Sequence, residues 1–156
     1  MTWKPNATVA VICEQDGKFL VVEEFSNGKK VINQPAGHID EGELVLTAAA
    51  REALEETGYK VDITHFIGLF TFTPPGTDLT YYRFCFAAKA LEQITTELDE
   101  GIIQPLWLSR DELIARHEQL RSPLVIDCID AYLAGECYPL SIIHEQHRFT
   151  TQHGNG

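Results

Sequence analysis

Gly37-His-Ile-Asp-Glu-Gly-Glu-Leu-Val-Leu-Thr-Ala-Ala-Ala-Arg-Glu-Ala-Leu-Glu-Glu-Thr-Gly-Tyr59 begins as a glycine loop crowded with carboxylates and continues as a run of helix formers. Ala48, Ala49, Ala50, Ala53 and Leu54 carry little helical penalty, and Gly58 stands where a left-handed cap belongs. Glu52 and Glu56 are four residues apart, so their side chains lie one above the other on one helix face, with Glu55 at its border. Like charges so placed repel and cost a helix a few tenths of a kcal/mol per pair. A solvated acidic face would tolerate that cost, but these surroundings are more specific. Arg51 lies four residues before Glu55 and can steady it, while Leu46, Ala49/Ala50 and Ala53/Leu54 form an apolar side able to pack on a sheet. A hard divalent cation, which takes oxygen ligands, is the candidate that offsets the repulsion.

The spacing Gly37, five residues, Glu43, seven residues, Arg51-Glu52-Ala53-Leu54-Glu55-Glu56-Thr57-Gly58-Tyr59 resembles the Nudix box at every charged and glycine position. It departs at Ala53 and Tyr59, which are packing positions, so the departures bear on helix packing and leave the chemistry alone. The resemblance implies an α/β fold, a Nudix-type α/β/α sandwich with a mixed sheet. It also implies Mg2+, with Mn2+ as an alternative. Glu52 and Glu56 would be the principal metal ligands, with Glu55 as another or as the partner of Arg51. The Gly37 carbonyl would face the metal, and Glu43 would contribute from the mouth of the helix. For the general base, Glu52 and Glu55 both stand as candidates. Metal and carboxylates together fit phosphoanhydride cleavage, because a bound cation polarises phosphoryl oxygens and acidifies water.

The composition sets the outer bounds. The chain has 156 residues, 44% hydrophobic and 22% charged, which is enough for one soluble domain with a sizeable core. We expect that domain to occupy residues 1–149, followed by a disordered tail over 150–156. A net charge of -11 argues against duplex nucleic acid or an anionic membrane as partner, since both are polyanions. Cys13, Cys85, Cys128 and Cys137 form no C-x-x-C pair, and three of them sit in apolar runs, as buried thiols of a reducing compartment do. The first residues, Met1-Thr2-Trp3-Lys4-Pro5, lack the pattern of a secretion signal, and no apolar run approaches membrane-spanning length. The expectation is a cytoplasmic protein.

Along the chain, Ala7 to Cys13 reads as a buried strand, Asp16-Gly17 as a hairpin turn, and Phe19 to Val22 as the returning strand. A loop through Ser26-Asn27-Gly28 leads to Lys29 and Lys30, read as solvated, and to a short strand at Val31-Ile32. Asn33 to Gly37 is expected to be irregular, because it holds a proline and a glycine. Val61 to Thr73 reads as a strand broken at Gly68. Leu79 to Ala90 reads as a strong strand with Tyr81, Arg83, Cys85 and Ala87 on one face and Tyr82, Phe84, Phe86 and Ala88 on the other. Ile102 to Leu108 is a further strand, Ser109-Arg110-Asp111-Glu112 a capping box, and Ser122-Pro123 the start of a helix reaching about Leu133. His144, His147 and His153 cluster in sequence but lack helical spacing or thiol partners, so they are not read as a metal site.

Outside the box, Gln34, His38 and Arg83 are the candidates for gripping substrate phosphates. Gln34 to Ile39, Phe19 to Glu24, His65 to Ile67, Arg121-Ser-Pro-Leu-Val125 and Tyr138 to Leu140 resemble the NudJ group of bacterial Nudix phosphatases. That resemblance implies a monomeric Mg2+-dependent phosphatase acting on small pyrophosphorylated molecules. These would be nucleoside tri- and diphosphates, thiamine pyrophosphate and hydroxymethylpyrimidine pyrophosphate, with orthophosphate released. One alternative is a Nudix pyrophosphohydrolase of ADP-ribose, a dinucleotide or an oxidised nucleotide, told apart by its products. Another is a non-catalytic nucleotide-binding module, which would be free to lose box carboxylates, yet Glu43, Glu52, Glu55 and Glu56 are all present.

Overall fold

The computed structural model describes residues 2–146. The proposed tail at 150–156, and His147 and His153, lie outside the described residues. Seven strands follow the order β1 (Asn6–Gln15), β2 (Lys18–Ser26), β3 (Lys29–Asn33), β4 (Ala36–His38), β5 (Tyr59–Phe72), β6 (Tyr81–Gln93) and β7 (Ile102–Leu108). The helices are α1 (Val45–Thr57), α2 (Arg110–Ala115) and α3 (Leu124–Leu133). The sheet path runs β3-β2-β1-β6-β5, with β4 paired to β1 and β7 to β2. β1 runs parallel to β6 and antiparallel to β2 and β4, so the sheet is mixed.

β1 explains the layering. Val9 to Cys13 are all buried, and alternate residues point to opposite faces. Val9, Val11 and Cys13 meet Ala48, Ala49 and Ala53 of α1, together with Phe66, Phe86 and Ala88. Ala10 and Ile12 meet Leu113 of α2 and Leu124, Cys128 and Ile129 of α3, together with Cys85 and Ala87. One helix therefore covers one face and two cover the other, which is an α/β/α sandwich around a mixed sheet. The two expected faces of β6 fall into these two cores. Cys13, Cys85 and Cys128 are buried thiols, whereas Cys137 is exposed. Among the described residues no helix is long and apolar enough to cross a membrane.

Three local expectations change. The loop through Asn27-Gly28 is a second tight hairpin, with both residues at positive φ (52° and 77°) and β2 and β3 paired directly on either side of it. The stretch around Pro35 is not irregular throughout, because Ala36–His38 forms a short strand on β1. Pro35 needs no donor there, and its carbonyl accepts from the Val11 amide. The buried stripe of α1 is Ala48, Ala49, Glu52, Ala53 and Thr57, with Leu46, Ala50 and Leu54 only half-buried. The helix is rotated from the expected apolar face so that its carboxylate ladder turns toward the protein.

β5 carries register shifts at Lys60/Val61, Ile63/His65 and Phe66/Gly68, so the break expected at Gly68 is a bulge inside one continuous strand. The capping box at Ser109 is formed, with Ser109 Oγ accepting from the Glu112 amide. α1 ends on Gly58 at φ 77°, where a Cβ would stand 2.0 Å from the Thr95 carbonyl oxygen. Gly58→Ala therefore meets both left-handed strain and a backbone clash, and we expect it to lower the unfolding free energy by about 2 kcal/mol or more. Urea unfolding measures this, and an unchanged midpoint would contradict the clash.

Candidate active site

The fold brings the loop before α1, the helix itself, β2, β3 and the segment before α3 around one cleft of about 700 Å³. Glu52 and Glu56 line it from α1, Ala36, Gly37 and His38 from β4, Glu24 and Lys29 from the β2–β3 hairpin, and Arg83 from β6. Phe72, Pro74 and Tyr81 form a rim of two aromatic rings and a proline at one side, and Arg121, Ser122 and Leu124 close the other.

Arg51 organises the carboxylates. Its Nε and Nη2 donate to the two oxygens of Glu43 at 2.7 and 3.0 Å. Its Nη1 donates at 2.9 Å both to Glu52 Oε1 and to Glu55 Oε2. Nη2 also reaches the His38 carbonyl at 3.1 Å, and Asp40 lies 3.5 Å away. The i,i+4 pair with Glu55 was legible in sequence, whereas the reach to Glu43 and Asp40 is a product of the loop folding back. Through these bonds the guanidinium is held firmly protonated, and the Glu43 carboxyl sits below the usual carboxylate range because Arg51 donates to it. Glu55 is spent on Arg51 and does not line the cleft, whereas Glu52 does.

Gly37 makes room for Glu52. A Cβ at Gly37 would stand 2.3 Å from the Glu52 carboxyl carbon and 2.4 Å from each of its oxygens. Burial raises the pKa of Glu52, offset in part by Arg51. Burial also pushes Glu56 up to about 8; the Ala36 amide, donating at 2.9 Å, opposes this, and the neighbouring charges of Glu24, Glu52 and Asp99 add to it. The cleft thus brings Glu52 and Glu56 together with Glu24 and Asp40, and burial opposes the charged forms of Glu52 and Glu56.

A divalent cation fits this chemistry. The donors are hard carboxylate oxygens beside a backbone left open by the absence of a side chain, and a cation favours the charged form that burial opposes. Among the described residues no three carboxylate, imidazole or thiol groups converge as a ready-made cage. Mg2+ suits such a site, because it is commonly held by one or two carboxylates and completed by water and substrate phosphates.

The three residues singled out for substrate are placed differently from one another. His38 is exposed on the cleft wall, with Nε2 3.3 Å from Asn6 Oδ1 and its ring beside Tyr81. Arg83 is buried at the cleft floor and donates to Gln34 Oε1 at 2.9 Å and to Asn33 Oδ1 at 3.2 Å. Gln34 stands behind the cleft and not on its wall: it is 1% exposed, and its Nε2 donates to the Val125 carbonyl at 2.7 Å. Its position makes it a strut between Arg83 and α3. Lys29, read as solvated, stands on the cleft wall. Sequence reading missed Glu24, Asp40 and Arg121. The available signal for Glu24 was a carboxylate near the end of a largely apolar strand; its partner, an arginine 97 residues further on, appears only in the fold.

Residues 3–128 match the NUDIX domain family, and the chain belongs to it. It is a Nudix hydrolase. Over 144 residues it is 45% identical to a protein named Phosphatase NudJ from Shigella boydii serotype 4, covering 90% of this chain and 92% of that one. The corresponding Escherichia coli K12 protein, of the same name, matches to the same extent. Among solved structures, a NUDIX hydrolase from Nitrosomonas europaea superposes with a TM-score of 0.88 at 41% identity, over 92% of this chain and 98% of that one. A MutT protein from Methanosarcina mazei Go1 superposes at 0.70 with 19% identity, over 87% of this chain and 99% of that one, a likeness of fold alone.

Proposed function

We infer that this chain is a cytoplasmic, monomeric, metal-dependent phosphatase. Its substrates are nucleoside tri- and diphosphates, thiamine pyrophosphate and hydroxymethylpyrimidine pyrophosphate, and it releases orthophosphate. The observation that carries the reading is the Glu52 carboxylate, bonded to Arg51 and seated against Gly37 on the wall of a cleft that also holds Glu56. The 45% identity to a protein named as a phosphatase supports the choice of orthophosphate as product. Mg2+, with Mn2+ as the alternative, would be held by Glu52, Glu56 and the Gly37 carbonyl. When bound it polarises phosphoryl oxygens and acidifies water.

The chain's own residues supply the rest. Of the two candidate bases, only Glu52 lines the cleft, so Glu52 takes the proton of the attacking water. Burial raises its proton affinity toward what a base at neutral pH requires. The water oxygen bonds to the terminal phosphorus, the bridging P–O bond breaks, and the shortened phosphate chain leaves with its electron pair. Arg51 and Glu43 keep Glu52 in place. His38 and the buried Arg83 grip phosphate, and Gln34 holds Arg83. With a net charge of -11, nucleic acid is not a partner.

Products decide between this reading and a pyrophosphohydrolase of ADP-ribose, dinucleotides or oxidised nucleotides. A nucleoside triphosphate incubated with Mg2+ should yield orthophosphate directly. Phosphate detected only after added pyrophosphatase would sink the phosphatase reading. No turnover on any pyrophosphorylated compound would favour the non-catalytic nucleotide-binding module.

A further inference from the structure

The cleft has two chemically distinct ends. Phe72, Pro74 and Tyr81 come from the β5–β6 side, while Lys29 and Arg121 come from the β2–β3 side and the segment before α3. That segment is built onto β3: Leu120 bridges Ile32, and the Arg121 amide donates to the Ile32 carbonyl at 2.9 Å. The anchoring fixes the Arg121 backbone at the cleft. Its Nη1 donates to Glu24, which is itself buried and lines the same cleft as Glu56. Arg121 therefore stands next to the carboxylate ladder through a single intervening side chain.

Arg51 spends its Nε, Nη1 and Nη2 donors on protein acceptors, whereas Arg121 does not. A guanidinium has five N–H donors, and Glu24 takes one nitrogen. The Nε and Nη2 of Arg121 have no protein acceptor among the described residues, and its side chain is 47% exposed. That edge has the fork geometry that receives two oxygens of one phosphate. We propose that Arg121, oriented by Glu24, receives the terminal phosphate of the substrate and so determines which phosphoanhydride lies at Glu52 and Glu56. The organic ring then lies at the Phe72 and Tyr81 rim, and the phosphate chain stops at Arg121 and cannot slide further. The proposal rests on the phosphoanhydride-hydrolase reading above, and it adds a specificity-determining residue that the box motif does not contain.

The experiment compares wild type, Arg121→Ala and Arg121→Lys on one nucleoside triphosphate with Mg2+, assaying orthophosphate and pyrophosphate separately. Calorimetry with a non-hydrolysable triphosphate analogue gives affinity without turnover. Arg121→Ala should raise KM and the analogue Kd at least about tenfold, keep kcat within about threefold, and increase the share of product released as pyrophosphate. Arg121→Lys keeps the charge but not the fork, and should recover part of the affinity. Unchanged KM and Kd, a loss confined to kcat, or an unaltered product split would each overturn the proposal. Should Arg121→Ala fail to fold, Arg121→Lys carries the test, and an unchanged KM there overturns it equally. Wild type releasing only pyrophosphate defeats the phosphatase reading, and Arg121 is then judged by the change in KM and analogue Kd between wild type and variant alone.

Discussion

Glu56→Gln and Glu52→Gln are each expected to lower turnover at least about a hundredfold, the scale of losing a charge that stabilises the transition state. The fold should survive, because α1 is held by Ala48, Ala49 and Ala53 and not by its carboxylates. For Glu56 the metal-free protein adds a second readout. Its carboxyl is raised from its ordinary 4.5 to about 8 by burial, so the folded state binds that proton more tightly than the unfolded chain. The stabilisation is complete below the unfolded value, and it is lost as pH rises from about 4.5 through about 8. Melting curves in chelator should therefore show stability draining away across that window, and Glu56→Gln should flatten this part of the profile. Near-normal turnover in both variants would remove the carboxylate-ladder reading.

Gly37→Ala is the second large effect. The new Cβ would stand 2.3–2.4 Å from the Glu52 carboxyl group, closer than any real contact. The group it meets is the end of a flexible side chain, so the carboxylate shifts and the backbone stays. Displacing a reacting group by about 1 Å costs on the order of a hundredfold, and we expect a loss of turnover approaching that size. The melting temperature should remain close to wild type, because the fold has not been touched. Full activity would mean that the Glu52 position seen here has no part in the chemistry. A large fall in melting temperature would mean that the backbone, and not Glu52, had yielded.

The two substitutions also separate what is local from what is assembled. Three features of α1 are set within one short stretch: its helical run from Ala48 to Leu54, its left-handed stop at Gly58 and the Glu52–Glu56 ladder. They depend on propensity, a positive φ and a spacing of four, all properties of neighbours in the chain. The same holds for the Asp16-Gly17 turn, the capping box at Ser109 and the two-faced β6. Their physical causes act over a few residues, so the sequence shows them directly.

Other features have no local cause. The start of α1 has no side-chain cap of its own; its Val45 amide donates to Glu145, 100 residues away, at 2.6 Å. The rotation of α1 that buries Glu52, the proton affinity of Glu56 and the placing of Gln34 behind the cleft all depend on which surface packs above them. The coupling of Arg121 to Glu24 depends on a loop docking to the edge of β3. The chain by itself showed most of the strands, their turns and the acidic helix, because periodicity and short-range geometry act between neighbours, while the sandwich was implied by the resemblance that the Gly37–Tyr59 stretch carries. Tertiary packing decided which carboxylates face the cleft, which are spent on Arg51 and which cation is left over, because desolvation and long-range pairing exist only once the layers have closed.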